Sequence, residues 1–156
     1  MRNKFFSEEQ NFFAPWLYIL FAVLVILAAY PFFVDTTEKE ASYVSVVLIL
    51  AVIGLFVWMR LKTQIDEQGI LIRFMPFIRQ KLIAWQDVQE AYVRKYSALE
   101  YGGWGYRVSF GGVAYTTKGK YGLQLVLKNG KKILVGTQKP EEVMLVINEI
   151  LNDRNA

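Results

Sequence analysis

Two stretches of this chain leave little choice about their surroundings. Neither Trp16 to Val34 nor Tyr43 to Met59 contains an Asp, Glu, Lys or Arg. At about 1.5 Å of rise per residue, a helix over the first run crosses a hydrocarbon core of about 30 Å. The second run is slightly shorter, but it is bracketed by Tyr43 and Trp58, aromatics that suit the membrane–water interface. Mean hydropathy is +0.24 and 54% of the 156 residues are hydrophobic, more than an ordinary soluble domain of this size carries. A cleaved signal peptide fits poorly. The flank Arg2, Lys4, Glu8, Glu9 has no net positive charge, and Leu27-Ala28-Ala29-Tyr30 lacks the small-x-small cleavage pattern.

The expected layout is a segment over 1–13, a first transmembrane helix over 14–34, an external loop over 35–42, a second helix over 43–60 and a soluble domain over 61–156. Arg2 and Lys4 precede the first span and Arg60 and Lys62 follow the second, whereas the connection holding Asp35, Glu38, Lys39 and Glu40 is acidic on balance. The positive-inside rule then puts both termini, and the domain, on the cytoplasmic side of the cell membrane. Phe12, Phe13, Trp16 and Tyr18 fall at the inner interface; Tyr30, Phe32 and Phe33 fall at the outer one, where Tyr30 and Pro31 are expected to end the helix. Ser7-x-x-Gln10 has the spacing of a capping box for a short interfacial helix. With no ionisable residue inside either span, the hairpin reads as an anchor rather than an ion pathway.

The chain has neither cysteine nor histidine. That removes disulfides, thiolate and imidazole metal ligands and the usual nucleophile–base pairs. Asp66, Asp87 and Glu90 stand in or beside turns without a partner at a catalytic spacing, so no enzyme activity, cofactor or metal is expected.

Beyond Lys62 the pattern changes to short alternating segments separated by turn residues. Glu67-Gln68-Gly69 and Gln86-Asp87 are expected to close two consecutive hairpins, Gly111-Gly112 a third and Lys128-Asn129-Gly130 a fourth. In the last of these, a three-residue loop with Gly130 in the left-handed region sets Leu125 opposite Ile133 and Leu123 opposite Val135. Pro140, Glu141 and Glu142 then open a helix whose Val143, Val146, Ile147, Ile150 and Leu151 form one apolar stripe. The fold class is α+β: a two-helix membrane hairpin, then an antiparallel barrel or sandwich of roughly seven strands in meander order, closed by an amphipathic helix.

Ile65-Asp66-Glu67-Gln68-Gly69-Ile70, Ile83-Ala84-Trp85-Gln86-Asp87-Val88, Gly102-Gly103-Trp104-Gly105-Tyr106-Arg107 and Asn129-Gly130-Lys131-Lys132-Ile133 together resemble the bacterial pleckstrin-homology-like membrane proteins. The resemblance implies a bent barrel with one end covered by the helix, preceded by one or two spans. It implies no ligand residues.

The glycine run around Trp104 lacks the third glycine of a dinucleotide fingerprint and the lysine of a phosphate loop. Inositol-lipid recognition needs clustered cations at the first hairpin, where this chain has Asp66 and Glu67. Residues 60–156 nevertheless hold 15 Lys and Arg against 9 Asp and Glu. Trp104, Tyr106, Arg107, Lys118, Lys120, Lys128, Lys131 and Lys132 are therefore the candidate contacts for a protein partner or, as the alternative, for anionic lipid headgroups. No nucleic-acid motif accompanies the positive charge.

Overall fold

A computed structural model describes residues 4–12, 15–34 and 39–155. Asp35 and Glu38 of the expected external loop, together with Arg2 and Phe13, lie outside the described residues. The chain forms two compact units, one of residues 12–59 and one of residues 1–11 with 60–156.

The smaller unit is a helical hairpin of α1 (Pro15–Phe33) and α2 (Lys39–Trp58), both long and apolar enough to cross a membrane. Edge-on aromatic pairs mark its antiparallel seam: Phe21 meets Phe56 with ring centroids 5.6 Å apart, and Phe32 meets Tyr43 at 4.7 Å. Little of either helix is covered. Ile19, Ile26 and Val47 are each about two-thirds exposed, whereas Leu17 and Phe21 are buried. Apolar side chains on every other face have nothing to recommend them in water. α1 continues through Pro31 to Phe33 instead of ending at Tyr30 and Pro31. A proline so near the C-terminal end forfeits only one helical hydrogen bond. α2 starts at Lys39, four positions before the apolar run, and ends two residues before Arg60. Polar residues of its first turn, Glu40 and Ser42, extend the helix beyond what hydropathy marks.

The larger unit is a sandwich of nine strands in two sheets, not a closed barrel and not a seven-stranded meander. One sheet has the order β1-β2-β3-β4, from β1 (Lys4–Asn11), β2 (Arg60–Asp66), β3 (Gly69–Met75) and β4 (Ile78–Ala84). The other runs β5-β8-β9-β7-β6, from β5 (Val88–Lys95), β6 (Gly105–Ser109), β7 (Gly112–Thr116), β8 (Tyr121–Leu127) and β9 (Lys132–Thr137). β7 lies parallel to β9, which breaks the meander. The expected hairpin at Gln86-Asp87 is instead a crossing: a single 3-10 turn over Trp85–Asp87 carries the chain from β4 in one sheet to β5 in the other. Trp85 anchors that crossing, its indole N–H donating 2.8 Å to the Asp66 carbonyl. The β8–β9 register agrees with expectation, Leu125 opposite Ile133 and Leu123 opposite Val135, with Gly130 at φ 81°.

The core lies between the sheets. Leu61, Ile65, Ile70, Ile72 and Phe74 of one sheet and Tyr115, Leu123, Leu125 and Val135 of the other are all essentially without solvent contact, while Leu134, one step out of phase with Val135, clusters on the opposite face with Tyr96, Tyr101 and Ala114. α3 (Pro140–Asn155) rests on β1, β5 and β8 through Val143, Ile147 and Ile150, so it spans both sheets.

The segment read as an interfacial helix is β1, a strand that precedes both apolar helices in the chain and pairs with β2, which follows them. Its buried side chains alternate, Phe6, Glu8, Gln10, but two of the three are polar. Those two are satisfied by the opposite sheet. Glu8 accepts from the Thr137 hydroxyl at 2.7 Å and the Gln138 amide at 2.8 Å, and Gln10 donates to the Gly136 carbonyl at 2.8 Å while accepting from Thr117 at 2.7 Å. β1 is thereby stapled across the sandwich.

Candidate groove between two sheet edges

β4 is the last strand of its sheet, so one of its flanks carries no ladder. Beside it lies a groove of about 730 Å³, walled on the far side by the β6–β7 hairpin and floored by the β8–β9 turn. Glycine shapes the wall. Gly112 adopts φ 117°, and a Cβ there would fall 2.2 Å from the Lys132 carbonyl oxygen, so only glycine lets β7 approach β9 this closely.

Apolar side chains dominate the opening. Leu82 on β4 and Val108 on β6 are 46% and 69% exposed, and Phe110 at the hairpin tip is fully exposed, although a chain in water gains by covering such groups. Cations rim them. Lys81, Lys131 and Lys132 line the groove against one carboxylate, Asp87. Lys81 is held in place by donating 3.2 Å to the Tyr115 hydroxyl, with its ammonium 5.7 Å from that ring's centre. Tyr115 is itself buried, and burial, with Tyr106 alongside, pushes its hydroxyl up to about 12. The phenol therefore stays neutral and keeps accepting from Lys81 across the physiological range.

The eight candidate contacts fall into separate places. Lys131 and Lys132 line the groove, and Lys128 is exposed on the same turn. Tyr106 is adjacent through Tyr115, the rings 5.4 Å apart. Trp104, Lys118 and Lys120 are at the other end of β7: the Trp104 indole donates to the Gly119 carbonyl at 3.4 Å, and Lys118 Nζ donates to Asn11 Oδ1 at 3.3 Å. The four steps from Gly112 to Thr116 put about 13 Å between the two ends. Arg107 bends back to the Trp104 carbonyl at 3.3 Å. The basic residues thus do not form one patch.

The sequence marks Lys81, with Arg79, only as further positive charge and not as a candidate contact, and gives no role to Leu82, Val108 or Phe110. Only Phe110 carried a usable signal, a large aromatic directly before Gly111-Gly112, where a turn cannot bury it. Nearby, Arg94 and Glu100 pair at 2.9 Å and Ser97 caps the 3-10 turn over Ala98–Tyr101. The Arg94 hydrogen bond holds the Glu100 carboxyl below its usual range, and Glu100 in turn raises Arg94. This is turn architecture. Among the described residues no three carboxylates converge as metal ligands.

Compared with known proteins, the chain matches no protein-family model and no curated sequence.

Proposed function

We propose that the chain is a membrane-anchored, non-catalytic interaction module whose groove takes an extended protein segment along β4. The α1–α2 hairpin holds it in the cell membrane, and the β-unit faces the cytoplasm. The observation that carries this reading is a sheet edge with a free flank running beside exposed Leu82, Val108 and Phe110. A strand added there gains main-chain hydrogen bonds and buries alternate side chains in the groove. Lys81, Lys131 and Lys132 outnumber Asp87, so the matching segment is apolar with acidic residues. Two sheets followed by a helix that bridges them also suit a pleckstrin-homology-like unit, to which the sequence motifs are similar.

Anionic headgroups are the alternative occupant for the basic residues, and the split between two ends favours treating the groove lysines and the Lys118–Lys120 turn separately. A photo-crosslinker at Phe110 in the full-length protein, in its native membrane, tests the groove. A defined protein adduct is expected from Phe110, absent from a crosslinker at Leu145, which is 68% exposed on α3, a helix that contributes no residue to the groove lining. Charge reversal of Lys131 and Lys132 should abolish it. Equal capture from both positions, or lipid adducts alone, would overturn the proposal.

A further inference from the structure

The β3–β4 turn is made of the wrong residues for a turn in water. Phe74-Met75-Pro76-Phe77-Ile78 is apolar throughout, whereas the β2–β3 turn is Glu67-Gln68 and the β8–β9 turn holds Lys128, Asn129 and Gly130. Phe77 stacks one face on buried Phe74, the centroids 6.0 Å apart, yet remains 58% exposed.

Its place in the sheet accounts for this. Asn11, Arg60 and Met75 pair across β1, β2 and β3 in one row, and that row is where the chain leaves for α1 and returns from α2. Met59 alone separates Trp58, the last residue of α2, from Arg60, so the two Cα atoms are at most about 7 Å apart. Met75 is a cross-strand partner of Arg60 and Phe77 lies two residues further, which keeps Phe77 within about 12 Å of the Arg60 Cα. On the other side of the row, Lys118 reaches Asn11, and Lys120 and Trp104 flank Gly119. An apolar turn, two lysines and a tryptophan on one tethered rim are what a headgroup layer over hydrocarbon selects.

We infer that this rim, from Phe77 through Arg60 to Lys118, Lys120 and Trp104, sits in the headgroup layer of the bilayer that the helices cross, with Phe77 reaching the hydrocarbon boundary. The inference rests on the anchoring reading above and is separate from the groove at the far end of β7. It gives the β-unit a second attachment besides its two covalent links.

The chain has no cysteine, so one introduced cysteine carries one nitroxide label. Full-length Phe77→Cys, Lys120→Cys, Phe110→Cys and Leu50→Cys, reconstituted in vesicles of phosphatidylcholine with phosphatidylglycerol, are compared for collision with oxygen and with a water-soluble nickel chelate. Position 77 is expected to show an oxygen-to-nickel ratio several-fold above position 110 and close to position 50, with position 120 between them. If position 77 behaves like position 110 while position 50 is shielded from nickel, the rim proposal fails and the anchor stands. If position 50 is itself open to nickel, both fail.

Discussion

Tyr115 links core, groove and pH dependence in one side chain. Its ring is buried between the sheets, while its hydroxyl holds Lys81 at the groove wall. Burial raises its folded-state value from 10 to about 12, so the unfolded chain loses this proton first as pH rises. The stability that Tyr115 contributes is therefore fully present below about pH 10 and is lost as pH climbs toward 12. Over that window one such group adds a slope of at most about 1.4 kcal/mol per pH unit. Tyr115→Phe removes the titration together with the hydrogen bond to Lys81. Urea unfolding of the full-length variant in detergent should show a loss of about 1 kcal/mol at neutral pH. The gap to the parent protein should shrink as pH passes 10. Parallel stability curves through that window would contradict the assignment.

At the scale of elements, β1 joins the sandwich through polar chemistry. Glu8 and Gln10 are 7% and 4% exposed, and between them they satisfy groups on Gly136, Thr137, Gln138 and Thr117 in the opposite sheet. Truncating one leaves buried partners without a bond, which costs about 1–3 kcal/mol. Glu8→Ala and Gln10→Ala should each lower the urea midpoint by that much, and the double variant should lose less than the sum because both act on one staple. Ser7→Ala, on the exposed face of the same strand, should change little. Full additivity of the two would mean that they do not form one network.

The same strand shows what local pattern can and cannot carry. Register in β8–β9 and the buried stripe of α3 follow from apolar residues at a single period, and both are readable from side-chain type alone. In β1 the inward positions Glu8 and Gln10 break the apolar alternation, so the segment resembles a helix cap until the opposite sheet is known. Gln86-Asp87 looks like a hairpin turn because sequence states where the chain bends, not which sheet the next strand joins. The groove was illegible for a related reason. Leu82, Val108, Phe110 and Lys131 come from three separate stretches of chain; the β7–β9 pairing joins the last two stretches, and only the apposition of the two sheets adds Leu82 of β4.

For the whole molecule, the order of segments matters more than any one of them. β1 precedes α1 and β2 follows α2, yet the two strands are sheet neighbours from Lys4 and Asp66 to Asn11 and Arg60. The helical hairpin is therefore an insertion in a β-hairpin, and both of its ends return to one folded unit. That sandwich cannot close until β2, which follows α2 in the chain, is available to pair with β1. It also ties topology to pairing: with α1 and α2 across the bilayer, residues on β1 and on α3 must lie on the same side, independently of the charge bias that argues for the cytoplasm. Ser7 and Asn152 are both exposed, one on each of these elements. Ser7→Cys and Asn152→Cys should resist a membrane-impermeant maleimide in intact cells and react once the membrane is opened. Reaction of both in intact cells would reverse the orientation and preserve the hairpin, whereas opposite behaviour of the two positions would be incompatible with β1 and β2 sharing a sheet.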